Sequence, residues 1–171
     1  MTKNSIELDA IDLQLLHLLQ TDASRSNQAL ARLLQLSPPT CLRRVRRLRD
    51  SGLIERQVAI LQPERLAEAL GHGLQAIVEV SLDRQDSGAL DAFEHRAVAL
   101  DAVQQCWRVS AGPDFILVVA APDMPSYLAL SRELFTEDAN VRNVKSFFSV
   151  RRAKFATAMP LPPASGPIPA G

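Results

Sequence analysis

The sequence predicts an α+β chain in two parts, an all-helical N-terminal head and a C-terminal domain of βαββαβ order. Three observations carry this reading. Leucines recur at helical spacing from Ile11 to Leu48, strict apolar alternation begins at Leu74, and strand-like and helix-like patterns then succeed one another to Phe155. A chain of 171 residues with 47% hydrophobic composition has enough apolar mass for two small cores. The expected boundaries are a head over 1–62, a second domain over 63–158 and a proline-rich tail over 159–171.

The first helix is expected to start at Asp9, whose carboxylate can cap free backbone N–H groups, with Leu8 and Leu13 placed for a hydrophobic staple. Asp12 in the first turn suits the positive end of the helix dipole. Ile11, Leu15, Leu18 and Leu19 form its apolar stripe, which stops near Thr21 and Asp22. Ser26 is a candidate cap for a short second helix carrying Leu30, Leu33 and Leu34, and Gln35 to Ser37 is only long enough for a turn.

The third segment, SPPTCLRRVRRLRDSG, is the most informative. Ser37 is a strong cap, Pro38 falls at the first helical position where a missing N–H costs nothing, and Gly52 ends the helix. Successive residues 100° apart place Cys41, Leu42, Val45 and Leu48 on one side and Thr40, Arg43, Arg46 and Arg47 on the other, with Arg44 and Arg49 flanking. Five arginines against one acid, Asp50, repel one another unless an anion compensates, and guanidinium forks suit phosphates and guanine edges. A basic helix alone is more often a solvated surface. As the third helix of a unit, after a tight turn, it stands where a recognition helix enters the DNA major groove by its N-terminal part. The β-prone stretch LIERQVAIL then reads as a wing or linker strand.

Beyond it, Leu74, Ala76, Val78, Val80 and Leu82 line one face of a first strand. Ser87 to Leu100 places Leu90, Phe93, Ala97 and Leu100 at helical spacing. AVQQCWRVS and DFILVVAA read as two strands around a turn at Gly112, Pro113 and Asp114. A second helix from Pro125 to Glu137 is expected to bury Leu128, Leu134 and Phe135, and a last strand to run from Val141 to Phe155. The order βαββαβ is the ferredoxin-like arrangement, with both helices on one face of an antiparallel sheet. Ile77, Ile116 or Leu117, Val119 and Phe147 or Phe148 cannot all point to that face, so the other face is expected to meet a second copy. The stretch MPLPPASGPIPAG is expected to be a disordered tail.

The formal net charge is +0, but residues 1–62 carry 9 Lys+Arg against 6 Asp+Glu and residues 63–171 carry 10 against 13, a basic head on an acidic remainder. No apolar run approaches a membrane span and the start MTKNSIELDAID lacks a secretory layout, so the chain is expected to be cytoplasmic with no membrane partner. Cys41 and Cys106 stand outside any CxxC spacing, and His17, His72 and His95 are scattered, so no metal and no cofactor are expected. No paired carboxylates, activated nucleophile or phosphate-cradling glycine loop stands out, which argues against an enzyme. Two alternatives are an effector-independent architectural DNA-binding protein and a ferredoxin-like small-molecule enzyme.

Four stretches carry a family resemblance: LDAIDLQLLHLLQ, SNQALARLLQLSPPTCLRRVRRLRDSGLI, VSAGPDFILVVAAPDM and NVRNVKSFFSVRRAKFATAMPLP. They resemble the leucine-responsive regulator (Lrp/AsnC) family of transcription factors over nearly the whole chain. The resemblance implies a winged helix-turn-helix head, a linker strand and a ferredoxin-like domain that dimerises, assembles up to octamers and responds to a small molecule such as an amino acid. By position it implies DNA contacts from Ser37, Pro39, Thr40, Arg43, Arg44 and Arg47. It likewise implies an effector site between subunits lined by Ser110, Ala111, Gly112, Asp114 and Ser146. Two positions depart from the family: Ala111 stands where glycine is common, and Ser149 where an aliphatic residue is usual.

Overall fold

The head is built first in the chain and its helices stop where their caps dictate. In the computed structural model, which describes residues 6–71 and 73–162, α1 spans Ala10–Thr21, α2 Asn27–Leu33 and α3 Pro38–Asp50. Asp9 and Asp12 form a reciprocal capping box: the Asp12 N–H donates to Asp9 Oδ1 at 2.9 Å and the Asp9 N–H to Asp12 Oδ2 at 3.1 Å. Ser26 and Ser37 cap α2 and α3 through their hydroxyls. Leu15, Leu18, Leu19, Leu30, Ala31, Cys41, Val45 and Leu48 form the buried core of the three helices. Leu42, expected on the packed side, is exposed instead, because the inward stripe of α3 is Cys41, Val45 and Leu48 and Leu42 lies a turn-fraction outside it.

The expected strand after Gly52 does not form. Residues 53–62 are irregular and Val58, Ile60 and Leu61 are exposed, because no strand among the described residues offers this backbone a hydrogen-bonding partner. A helix the sequence reading did not include, α4 (Pro63–Leu70), follows it. Its punctuation was present: Pro63 in the first turn and Gly71 at the end, in the left-handed conformation at φ 73°.

The C-terminal domain follows the expected order. It runs β1 (Leu74–Leu82), α5 (Ser87–Val98), β2 (Val103–Arg108), β3 (Phe115–Ala121), α6 (Met124–Ser131) and β4 (Val141–Phe148). The sheet order is β2-β3-β1-β4 and every pairing is antiparallel. Ala76, Val78, Val80 and Leu82 of β1 face the helices and are fully buried, with Phe93 and Ala97 of α5 against them. Their alternation was visible because each β-residue faces the side opposite its neighbour.

Two corrections come from α6. Leu128 is exposed while Tyr127 and Leu130 take the inward positions, and after Ser131 the helix widens into a π turn over Arg132–Thr136. The wider turn lets two successive residues, Leu134 and Phe135, both reach the core. β4 ends at Phe148 rather than Phe155, because its partner β1 begins at Leu74; the last link is the Ser149 N–H to the Gln75 carbonyl at 2.8 Å.

The described chain divides into two compact units. One holds the residues up to Ala59 together with those from Lys154 onward, and the other is Ile60–Ala153. The final stretch is tied to the head at one point, where the Met159 N–H donates to Gln20 Oε1 and Gln20 Nε2 donates to the Met159 carbonyl, each at 3.0 Å. Met159 to Pro162 of the expected tail are thus described, and 163–171 lie outside the described residues.

Candidate nucleic-acid interface and effector residues

The third helix is aimed by its N-terminus. Leu34 to Leu36 form the turn between α2 and α3, with Gln35 in the left-handed region at φ 53°. Asn27 Nδ2 donates to the Pro38 carbonyl at 2.8 Å, fixing the start of α3 to the start of α2. The Ser37 and Thr40 hydroxyls lie 2.8 Å apart and form a fixed polar pair at the tip. Ser37, Pro39 and Arg43 are exposed and Thr40 is half-buried.

The ion pairs divide the arginines of α3 into two groups. Arg44 Nη1 donates to Asp9 Oδ2 at 2.7 Å and to Asp12 Oδ1 at 2.9 Å, and Arg47 Nη2 donates to Asp12 Oδ2. Asp12 is completely buried. The anion that five arginines were expected to lack is therefore supplied within the chain for two of them. Arg49 donates to Gln57 Oε1 at 2.7 Å, anchoring the irregular segment. Arg43 and Arg46 are exposed and pair with no described residue. An open groove of about 1170 Å³ runs along this face, lined by Pro39, Leu42, Arg43, Arg46 and Arg47 among others.

These contacts perturb ionisation in a consistent direction. Partial burial pushes the Asp9 carboxyl up, but the Asp12 N–H and the Arg44 guanidinium outweigh it and hold Asp9 below its ordinary value. The hydrogen bond that Arg44 donates to Asp9 correspondingly raises Arg44. Burial pushes the Cys41 thiol up, so it stays protonated in the head core.

Sequence reasoning read Asp12 only as a dipole partner and missed its role as acceptor. A signal existed: Arg44 lies three residues after Cys41 and four before Leu48, on the margin of the core stripe, so it reaches back over α1.

The expected effector residues are placed differently. Ser110, Ala111 and Gly112 are exposed on the turn between β2 and β3, while Ser146 lies on β4 opposite Val78, at the other edge of the sheet. One chain does not bring them together. Ala111 is held at φ 68°, a conformation that costs an L residue roughly 1–2 kcal/mol relative to glycine. Asp114 closes the turn: its Oδ2 accepts the Leu82 N–H at 2.7 Å and Gln85 Nε2 at 3.2 Å, while its own N–H donates to the Val80 carbonyl at 2.9 Å. It satisfies the end of β1 where β3 has stopped. Ser146 Oγ lies 2.5 Å from the Tyr127 hydroxyl, and Tyr127 meets Phe148 edge-on with ring centres 5.0 Å apart.

On the open face of the sheet, Ile77 stands opposite Phe147 on one side and Val118 on the other, and Trp107 lies opposite Ile116. Trp107 and Phe147 are 58% and 52% exposed, high for aromatic side chains on a sheet. No group of histidine, cysteine and acidic side chains able to hold a metal occurs among the described residues, and none of their helices is long and apolar enough to cross a membrane.

Three helices with a tight turn before the capped, cationic third, and an appended four-stranded antiparallel α+β domain, define a helix-turn-helix transcriptional regulator with a ligand-binding domain. Residues 8–49 match the AsnC-type helix-turn-helix domain and residues 75–159 the Lrp/AsnC ligand binding domain. The chain is 37% identical over 151 residues to the leucine-responsive regulatory protein of Rhizobium meliloti, covering 88% of this chain and 94% of that one. Among solved structures, an AsnC family transcriptional regulator from Agrobacterium tumefaciens superposes with a TM-score of 0.79 at 26% identity, covering 90% of this chain and 97% of the other. A transcriptional regulator of Neisseria meningitidis in complex with L-Met gives 0.79 at 28% identity, with the same coverage. The chain belongs to the Lrp/AsnC family of DNA-binding transcriptional regulators, and its relatives are regulators, not enzymes.

Proposed function

We propose that this protein is a cytoplasmic, sequence-specific regulator that grips double-stranded DNA with α3, assembles at least into a homodimer, and answers to a small molecule of the amino-acid class. The observation that carries the DNA reading is the exposed pair Arg43 and Arg46, without partners among the described residues, on a helix whose tip is fixed by the Ser37–Thr40 cap. In this reading Ser37, Pro39 and Thr40 meet the groove edge and Arg43 reads phosphate or guanine, while Arg44 and Arg47 serve from behind through Asp9 and Asp12. Separate positioning and reading groups are what a recognition helix needs.

The dimer reading rests on the open sheet face, where Trp107, Ile77 and Phe147 leave an apolar surface that a second copy would cover by two-fold symmetry. A dimer also supplies two recognition helices for a two-fold site. The effector reading rests on the split placement of the Ser110–Asp114 turn and Ser146: a pocket using both draws them from different copies. The L-Met bound by the Neisseria relative supports an amino acid as the class. Binding there would shift the balance between arrangements of the dimers and so the spacing of their α3 helices.

The test is binding to DNA upstream of the gene across a salt series, for wild type and Arg43→Ala/Arg46→Ala, with a thermal-shift screen of the amino acids alongside. The expected result is tight wild-type binding, a salt slope lowered by about 1.8 per head in the double variant, and stabilisation by one or a few amino acids. Equal salt slopes would refute the α3 reading. Full DNA binding with no stabilising amino acid would favour the architectural alternative, which the methyl of Ala111 in the turn makes specific.

A further inference from the structure

We propose that Asp12 is a positioning and specificity residue of the head: its buried carboxylate occupies Arg44 and Arg47 as a DNA phosphate would, and so limits how strongly the protein holds DNA of any sequence. The inference rests on the reading of α3 as the DNA-facing helix.

The geometry is that of an internal anion. Each Asp12 oxygen takes one guanidinium, Oδ1 from Arg44 at 2.9 Å and Oδ2 from Arg47, while Oδ2 also accepts the Asp9 N–H at 3.1 Å. Carboxylate and phosphate present the same kind of charged oxygen to an arginine fork, so the two compete for the same donors. Asp12 holds the advantage because it is completely buried: drawing both arginines away strands an unpaired charge in the head core, which is far costlier than losing a surface pair. Asp9 adds a second hold on Arg44 at 2.7 Å, and Arg44 itself is mostly covered. α3 thus carries a strongly cationic sequence but a smaller cationic surface, in which Arg43 and Arg46 remain unengaged among the described residues.

This matters for discrimination. Phosphate contacts bind all sequences alike, and each adds to nonspecific affinity and salt dependence, whereas base contacts separate one sequence from another. Neutralising two arginines inside the chain lowers the first term and leaves the second to the exposed tip of the helix.

The experiment measures the salt slope of binding to random-sequence duplex DNA for full-length wild type, Arg43→Gln, Arg47→Gln, Asp12→Asn and Asp12→Glu, with circular dichroism to check folding. Arg43→Gln is expected to flatten the slope by about 0.9 per head, and Arg47→Gln to leave it unchanged. Asp12→Asn is expected to steepen it, by up to about 1.8 per head, and to narrow the affinity ratio between the protein's own site and random DNA, while Asp12→Glu restores both. A purely structural Asp12 would lower stability without steepening the slope, so a folded Asp12→Asn with a wild-type slope overturns the inference. An Arg47→Gln slope flattened as much as that of Arg43→Gln overturns it too, and decides alone if Asp12→Asn does not fold. If Arg43→Gln leaves the slope untouched, the α3 reading itself falls and this inference with it.

Discussion

The head and the sheet domain assemble their functional side chains by opposite routes. In the head, every candidate DNA contact lies between Ser37 and Arg47 on one capped helix, so helical geometry alone sets their relation and a single chain holds the whole face. In the sheet domain, the Ser110–Asp114 turn joins β2 to β3 while Ser146 lies on β4, with β1 between β3 and β4. A site on one helix is complete once that helix docks. Side chains set apart by a sheet can share a site only through what comes to lie against them.

The sharpest way to break this comparison is to unfold one region and watch the other. Leu15 is fully buried in the head core, and Leu15→Ala is expected to cost about 2–5 kcal/mol. Trp107, the single tryptophan, sits on β2. Urea unfolding followed by far-ultraviolet dichroism should therefore shift while Trp107 fluorescence does not. A common shift in both signals would mean that the two regions unfold as one.

Phe147→Asp tests whether the sheet domain depends on a second copy. Within one chain the substitution lies on an exposed surface and should cost under about 0.5 kcal/mol, whereas losing a central aromatic from an interface costs about 2 kcal/mol or more. Sedimentation should show the variant as a folded species of lower mass than wild type. A variant that keeps the wild-type mass removes the open face from the assembly.

A smaller effect is expected at the turn. Ala111→Gly relieves the left-handed strain at φ 68° but loosens the unfolded chain, leaving a net stabilisation of about 0.5–1 kcal/mol in the Trp107 unfolding curve. Destabilisation would mean that the methyl group of Ala111 packs against something that matters.

The smallest effect belongs to Asp9. Asparagine caps a helix as well as aspartate, so Asp9→Asn isolates the charge facing Arg44. The folded carboxyl sits below its ordinary value of 3.8, so its contribution is fully present above that pH and is lost as pH falls through the lower folded value. The wild type should be slightly more stable than the variant at neutral pH, and the two should converge in acid below 3.8. A gap that widens in acid would contradict the sign.

What was readable in the sequence follows the same division between local and distant. The caps at Asp9, Ser26 and Ser37, the leucine stripes and the alternation of β1 are statements about neighbours in the chain, and they appear where expected. The misreadings depend on partners far away. Leu53 to Leu61 has strand chemistry but no strand beside it among the described residues, β4 stops where β1 begins, and the π turn after α6 moves Leu134 and Phe135 inward together while Leu128 points out. For the candidate site, the cationic face could be drawn on a helical wheel. Its division into engaged and exposed arginines could not, because Asp12 lies on another helix and only packing brings its carboxylate beneath Arg44 and Arg47.

The tether between Gln20 and Met159 joins positions 139 residues apart. Synthesis runs from the N-terminus, so α1 is made well before the strap that closes on it. The three helices can pack while the ribosome is still at work, but this tie forms only after the sheet domain has been made. A chain cut short after β4 would keep all three helices of the head but lose this tie, so the pairing of Gln20 with Met159 reports that synthesis has passed through the whole sheet domain.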